Sequence, residues 1–275
     1  MDIKKIKIIP IKSVTAREFI KKHHYSGKIC QNSQVHFGCI YEENIVGVLQ
    51  YGPSTDKRRM ATNLNVGMNE FLELNRMAMV EYAPKNSESR CISVTLKILK
   101  KQYPFLKVII SFADACQCGD GTIYRASGFD LIDIKKNNSL LILSPEATKE
   151  ISKHLPLKSN IISDKALNDH IVARKAMDHS IVNGRYLTSI AKELGARPLL
   201  GFQFKYAYFF DKELRKRFNL IPFIKIPDHC KMYKGNKRVE HDSNAAPIQG
   251  AEDGATPIDA LQLNPNQNYS DEVLK

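Results

Sequence analysis

Residues Phe71–Phe129 read FLELNRMAMVEYAPKNSESRCISVTLKILKKQYPFLKVIISFADACQCGDGTIYRASGF. The apolar residues of FLELNRMAMV suit a strand over Phe71–Val80. Pro84–Arg90 is a polar loop in which Asn86 or Ser87 can cap a helix. Ile92, Leu96, Leu99 and Tyr103 then repeat at helical spacing up to Pro104. Val108–Ala113 is apolar apart from Ser111, as a central parallel strand buried on both faces requires. Thr122–Ala126 starts another helix, which Gly128 stops. Strand, loop, helix, strand, loop, helix predicts an α/β (α+β) fold with a central mixed sheet flanked by helices.

The flanks extend that sheet. Lys5–Ile11 alternates loosely as a first strand, and Ser13 can cap a helix that ends near His23-His24-Tyr25. Val35–Tyr41 and Ile45–Tyr51 are apolar runs joined by Glu42-Glu43-Asn44, a hairpin signal. Ser54–Gly67 reads as a polar loop carrying Lys57, Arg58 and Arg59. Phe129–Ile134 and Ser139–Leu143 are two more strands. Gly201–Phe210 places Phe202, Phe204, Tyr206, Tyr208 and Phe210 on one face at period two, an aromatic core face. Before it, about residues 153–198, lies a helical, basic insertion with Arg174, Lys175 and Arg185. The expected organisation is one domain over residues 1–235 and a disordered acidic tail over 236–275, poor in large apolar residues.

Charge is divided just as unevenly. The 275 residues carry a formal +12, but from His241 onward six acids face the single base Lys275, which leaves +17 on residues 1–240. A body so basic predicts a polyanionic partner. No apolar run approaches the length of a membrane span, and the charged N-terminus is unlike a signal segment. Six scattered cysteines lack paired CxxC spacing and read as reduced thiols. A cytoplasmic protein is expected. Cys116-x-Cys118 is the only close pair, able to ligate a metal or to be incidental.

A few polar residues sit where apolar ones would pack better. Asp114 ends the buried strand, the position where open α/β sheets bind ligands, and a carboxylate there can accept a proton or cap the next helix. Arg76 interrupts an apolar strand and must be paired, with Glu73 or Asp114, or face a site. His23 extends an apolar helix face, as a core residue, a base or a metal ligand. Lys85, Asn86, Ser87, Ser89 and Arg90 surround a helix start whose amides suit a phosphate. Tyr124 opens the pattern YxxxGF behind the central strand.

That last pattern resembles the GNAT superfamily of acyltransferases, in which such a tyrosine protonates the departing coenzyme A thiolate. The strings KKHHYSGK, LNRM, PKNSESR, ISFAD and GTIYRASGF together resemble a narrower group, the Mom family of phage DNA-modification proteins. The likeness covers roughly His23–Leu143. It implies a GNAT-like fold that converts adenine in double-stranded DNA to N6-carbamoylmethyladenine and protects phage DNA from host restriction. It implies His23, Tyr41, Arg76, Asp114 and Tyr124 as functional positions, and acetyl-CoA or another activated acyl donor, with iron as a further cofactor. Lys57, Arg58, Arg59, Arg174, Lys175 and Arg185 would hold phosphates. Three departures stand out. Phe112 replaces the tyrosine of a YAD-like string, Cys116-Gln117-Cys118 stands where the family has a Gly-His-like pair, and no glycine lies between Gly67 and Gly119, where GNAT enzymes place a glycine-containing pyrophosphate loop. An N-acetyltransferase acting on a protein or small-molecule amine, and a non-catalytic DNA-binding protein of the same fold, are the alternative readings.

Overall fold

The computed structural model describes residues 2–116, 119–155, 157, 159–168, 186–234 and 237–238. In chain order, β1 (Lys7–Pro10) leads into α1 (Ser13–His23), then the hairpin β2 (Val35–Tyr41) and β3 (Asn44–Gly52). Next come α2 (Lys57–Leu64), β4 (Phe71–Met79), α3 (Ser87–Gln102), β5 (Val108–Asp114), α4 (Thr122–Ala126) and β6 (Asp130–Lys136). A smaller lobe follows: β7 (Leu140–Ile142), α5 (Pro145–Ser152), β8 (Ile161–Ser163), α6 (Asp164–Asn168), α7 (Tyr186–Glu193) and β9 (Arg197–Pro198). The chain then returns as β10 (Phe202–Phe209) and α8 (Lys212–Lys216).

The main sheet has seven strands in the order β1-β2-β3-β4-β5-β10-β6. Only β4 and β5 are parallel, paired from Phe71 with Val108 to Glu73 with Ile110. Beyond that point both strands continue without pairing to each other, so the sheet divides at its centre. β5 therefore pairs parallel on one side and antiparallel with β10 on the other, and its fully buried apolar run serves both. The aromatic face of β10 is core: Phe202, Phe204 and Tyr206 are buried in the largest apolar cluster, with Tyr208 and Phe210 packed against it. α3 contributes Ile92, Leu96 and Leu99 to that cluster. On the opposite face, α1 packs Ala16 and Ile20 on Val48 and Ala78, and α2 packs Ala61 and Leu64 near Phe71, Val108 and Ile110.

Several expectations need correcting. Ser54–Gly67 is not simply a loop. The Asp56 carboxylate caps α2 by accepting the Arg59 amide at 3.0 Å, and two buried apolar residues suffice to dock so short a helix. Ser13 is the first residue of α1 rather than its cap. Asn86 precedes α3 in a left-handed conformation (φ 71°) and makes no side-chain cap bond. The inserted lobe begins at Leu140, not near 153. Its three strands, ordered β8-β7-β9, close a separate core of Leu141, Leu143, Ala147, Ile151, Leu187 and Ala191 among others. Ser139–Leu143 accordingly belongs to the lobe. Arg174, Lys175, Arg185, Gln117, Cys118 and the acidic tail lie outside the described residues. Among the described residues no helix is long and apolar enough to cross a membrane.

Candidate active site

The cavity of greatest interest lies where β4 and β5 separate. It measures about 300 Å³ and is lined by Leu74–Met77 of β4, Phe112 and Ala113 of β5, Gly119–Tyr124, and His24 and Tyr25 beyond α1. Its β4 wall is irregular. Gln50 pairs with Arg76 and Tyr51 with Leu74, so Asn75 is an extra residue in the ladder, a β-bulge. The bulge re-aims the chain at the cavity wall. The Leu74 carbonyl accepts the Ser111 hydroxyl at 3.2 Å, which spans the gap between the strands.

Arg76 is held by backbone. Its Nε donates to the Lys28 carbonyl at 3.1 Å and Nη1 to its own neighbour's, Asn75, at 2.7 Å. Among the described residues it forms no ion pair with Glu73 or Asp114, so the paired reading of Arg76 gives way to a cation facing a site. Burial, with Arg76 second, pushes His24 down to about 4 and also lowers Lys28. The Ser26 amide donates to Nδ1 of His24 at 3.2 Å, so the neutral ring carries its proton on Nε2. Glu73, half-buried nearby, accepts the Ser54 hydroxyl, and burial raises its carboxyl above the usual range.

Across the cavity stands Tyr124, 9 % exposed. Its ring packs on Tyr206 and Phe129 with centroids 5.4 and 5.6 Å away, and its hydroxyl lies 3.5 Å from the Phe112 carbonyl. Ser127 of the same turn donates to the Ser89 carbonyl at 3.3 Å, so α4 abuts the first turn of α3. There the Glu88 and Ser89 amides take no acceptor from the described residues. Lys85 and Asn86 are exposed. Ser87 is buried and donates to the Pro84 carbonyl, Ser89 donates to that of Asn86, and Arg90 folds back onto the Lys4 carbonyl. Two open amides and the Lys85 cation fit a phosphate, although Glu88 puts an acid in the same turn.

Of the positions expected from sequence, the fold brings Arg76 and Tyr124 to the cavity and leaves three outside its lining. His23 stacks on Phe19 at 4.4 Å; the histidine at the cavity is His24. Tyr41 closes the β2–β3 hairpin, its hydroxyl against the Asp2 amide at 3.4 Å. Asp114 ends β5 with one oxygen accepting the Cys116 amide at 3.0 Å. The acidic residue among those that line the cavity is Asp120. Its Oδ1 accepts the Met232 amide at 2.6 Å, and its Oδ2 takes no donor from the described residues. Its signal in the sequence was its place between Gly119 and Gly121 at the mouth of a helix. Among the described residues no three His, Cys, Asp or Glu side chains gather as a metal set. Lys57, Arg58 and Arg59 sit together on the first turn of α2, with Lys57 bonded to Asn69 at 2.9 Å and lining a second hollow of about 170 Å³.

Similar solved structures are acetyltransferases. An IAA acetyltransferase from Bacillus cereus is 11% identical, covering 74% of this chain and 99% of its own, with a TM-score of 0.40. An agmatine N-acetyltransferase mutant is 12% identical, covering 74% and 100%, with a TM-score of 0.39. A curated relative, the methylcarbamoylase Mom of Escherichia phage Mu, is 39% identical over 134 residues. That match takes in 47% of this chain and 54% of the relative, so the chain spans about half the length of the curated protein it matches. Residues 5–227, most of the chain, match the Mom protein family, and the chain belongs to that family.

Proposed function

We propose that the protein is a transferase that modifies adenine in double-stranded DNA, forming N6-carbamoylmethyladenine and so shielding phage DNA from host restriction. One observation carries this reading: in a chain of the Mom family, Arg76, His24, Asp120 and Tyr124 converge on one cavity between β4 and β5. About 300 Å³ is at the small end for a ligand pocket, the scale of a single flipped base with the group it receives rather than of a peptide.

The roles follow from the chemistry. The exocyclic amine of adenine is delocalised into its ring and is a poor nucleophile. The open Oδ2 of Asp120 accepts its hydrogen bond and then its proton. Arg76 holds a fixed positive charge against the oxygen or ring nitrogen on which charge develops. His24 stays neutral at pH 7 and donates from Nε2. Tyr124 delivers a proton to the leaving group. Phe112, 41 % exposed, and Tyr25 give the base aromatic faces at the cavity. The base must leave the stack to reach them, and the positive body, including Lys57, Arg58 and Arg59, holds the backbone phosphates.

For the donor, the open amides at the start of α3 with Lys85 would hold the phosphates of an acyl-coenzyme A. That group would supply an acyl carbon whose C–S bond breaks with the thiolate leaving, which balances acylation of N6 but not alkylation; the N6–CH2 bond would need a donor that carries its leaving group on the saturated carbon. The new bond runs from N6 to a saturated carbon, so simple acyl transfer is not the whole reaction. Mass spectrometry of nucleosides from DNA of cells expressing the protein is the test. A new adenine derivative of the expected mass supports the reading. Unmodified adenine beside robust acetylation of added amines would replace it with an amine acetyltransferase.

A further inference from the structure

We infer that the turn Phe223–Lys225 is a wedge that enters duplex DNA beside the cavity and fills the space a flipped base leaves. The inference rests on the reading that this cavity receives a base from duplex DNA.

The turn is a short 3-10 helix preceded by Pro222, and Pro227 follows close behind it. Ile224 is 89 % exposed, by far the most exposed large apolar side chain among the described residues, and Phe223 beside it is 37 % exposed. Such exposure is ordinary on a loose loop, but this turn is anchored. Ile226, Cys230 and Met232, just beyond it, are buried in the main core. The Phe223 ring lies 3.7 Å beneath the Arg125 guanidinium, with the Lys231 ammonium 5.1 Å from its centroid. A rigid apolar tip loses little freedom when it inserts.

Its position relative to the cavity is fixed by the same arginine. Arg125 donates to the Asp120 carbonyl at 2.7 Å and to the Thr122 hydroxyl at 3.0 Å, and both residues line the cavity. The Met232 amide ties the other end of the segment to the Asp120 carboxylate. The Phe223 ring at the base of the tip therefore stacks on an arginine that bonds two residues of the cavity lining. Arg125 and the exposed Lys225 set cations beside it, while Lys231 is paired with Asp228 at 3.1 Å; the first two cations suit a phosphate backbone better than an apolar partner. Proteins that insert Phe, Leu or Ile between base steps offset the cost of unstacking by wrapping more of their surface against the bent duplex.

The test uses the full-length protein and a short duplex carrying 2-aminopurine, whose fluorescence rises when it unstacks. Wild type should raise the signal, and Ile224→Ala should cut that rise about threefold or more at saturating protein. Placing an abasic site opposite the probe removes the pairing to be broken, so the deficit of the variant should shrink below about twofold. Equal deficits on both duplexes, or no deficit, overturn the wedge. So does a wild-type protein that sediments as a dimer and an Ile224→Ala protein that sediments as a monomer, since the tip would then be a contact between copies. The chemistry is scored separately by nucleoside mass spectrometry. No modified adenine with the fluorescence pattern intact keeps the wedge and removes the proposed reaction, whereas modified adenine with duplex opening unaffected by Ile224→Ala does the reverse.

Discussion

The paired and the diverged halves of β4 and β5 are continuous in sequence and opposite in chemistry. From Phe71 to Glu73 and Val108 to Ile110 the two strands bond to each other, and Phe71, Val108, Ile109 and Ile110 are all buried. From Leu74 and Ser111 onward they part. There the residues are Asn75, Arg76, Phe112 and Asp114, and a bulge replaces regular pairing on the far side of β4. The lesson is that polar residues in these strands are not defects of a hydrophobic core. The first half supplies stability, and the second gives up packing to create a wall on which charged groups can be held.

The strongest way to break that division is at the reacting amine. Asp120→Asn keeps an acceptor for the Met232 amide but removes the carboxylate proposed as the base. We expect the rate of adenine modification, followed by nucleoside mass spectrometry, to fall about 10²- to 10⁴-fold, with the melting temperature close to wild type. Asp114→Asn, at a carboxylate outside the cavity lining, should cost less than about tenfold on the same scale. A larger loss at Asp114 than at Asp120 would return the proton-accepting role to the end of β5.

That pair of carboxylates also shows where the sequence stops being readable. Arg76 could be found because an arginine in an apolar strand is costly, and Tyr124 because YxxxGF has fixed spacing behind a strand. The seven strands were legible from period-two and continuous apolar runs. Choosing between Asp114 and Asp120 depends on how the connecting loop turns, and choosing between His23 and His24 on the residue at which α1 ends. The loop's return is set by Gly121, which has a φ of 74° and lies so close to the Tyr206 ring that a Cβ would collide with it. A contact between a loop and a strand about 85 residues later in the chain leaves no periodic trace. Nor does α2, whose burial of Ala61 and Leu64 is too sparse to show a helical stripe. The lobe core closes between segments far apart in sequence, so its first strand looked like part of the main sheet.

The paired half should respond in the opposite way to the diverged half. Ile110 is fully buried between Glu73 on β4 and Ala207 on β10. Ile110→Ala removes three buried carbons from a site that cannot collapse, and should cost about 2–5 kcal/mol in urea unfolding. The modification rate per folded molecule should stay at the wild-type level, because no atom of the cavity wall is removed. A variant that unfolds normally but modifies slowly would mean that the two halves are coupled, with the position of β5 controlling the cavity.

The smallest effect concerns how the diverged half is supported from behind. His36 of β2 is 8 % exposed, with Nδ1 3.0 Å from the Gln50 amide nitrogen, and Gln50 stands opposite Arg76 on the neighbouring strand. Burial, with Arg17 second, pushes this histidine from its ordinary 6.5 down to about 4. Between those values the unfolded chain holds more protons than the folded one, so stability rises with pH across the window. The contribution is fully present above pH 6.5 and is lost as the pH falls through about 4. It is worth at most about 3 kcal/mol, and less where water reaches the ring. His24 contributes with the same sign. Urea unfolding of wild type and His36→Gln at several values between pH 4 and 7 should therefore show a shallower slope in the variant, not a flat one. An unchanged slope would mean that His36 is already charged in the fold, and that Gln50 bonds something other than a neutral ring behind Arg76.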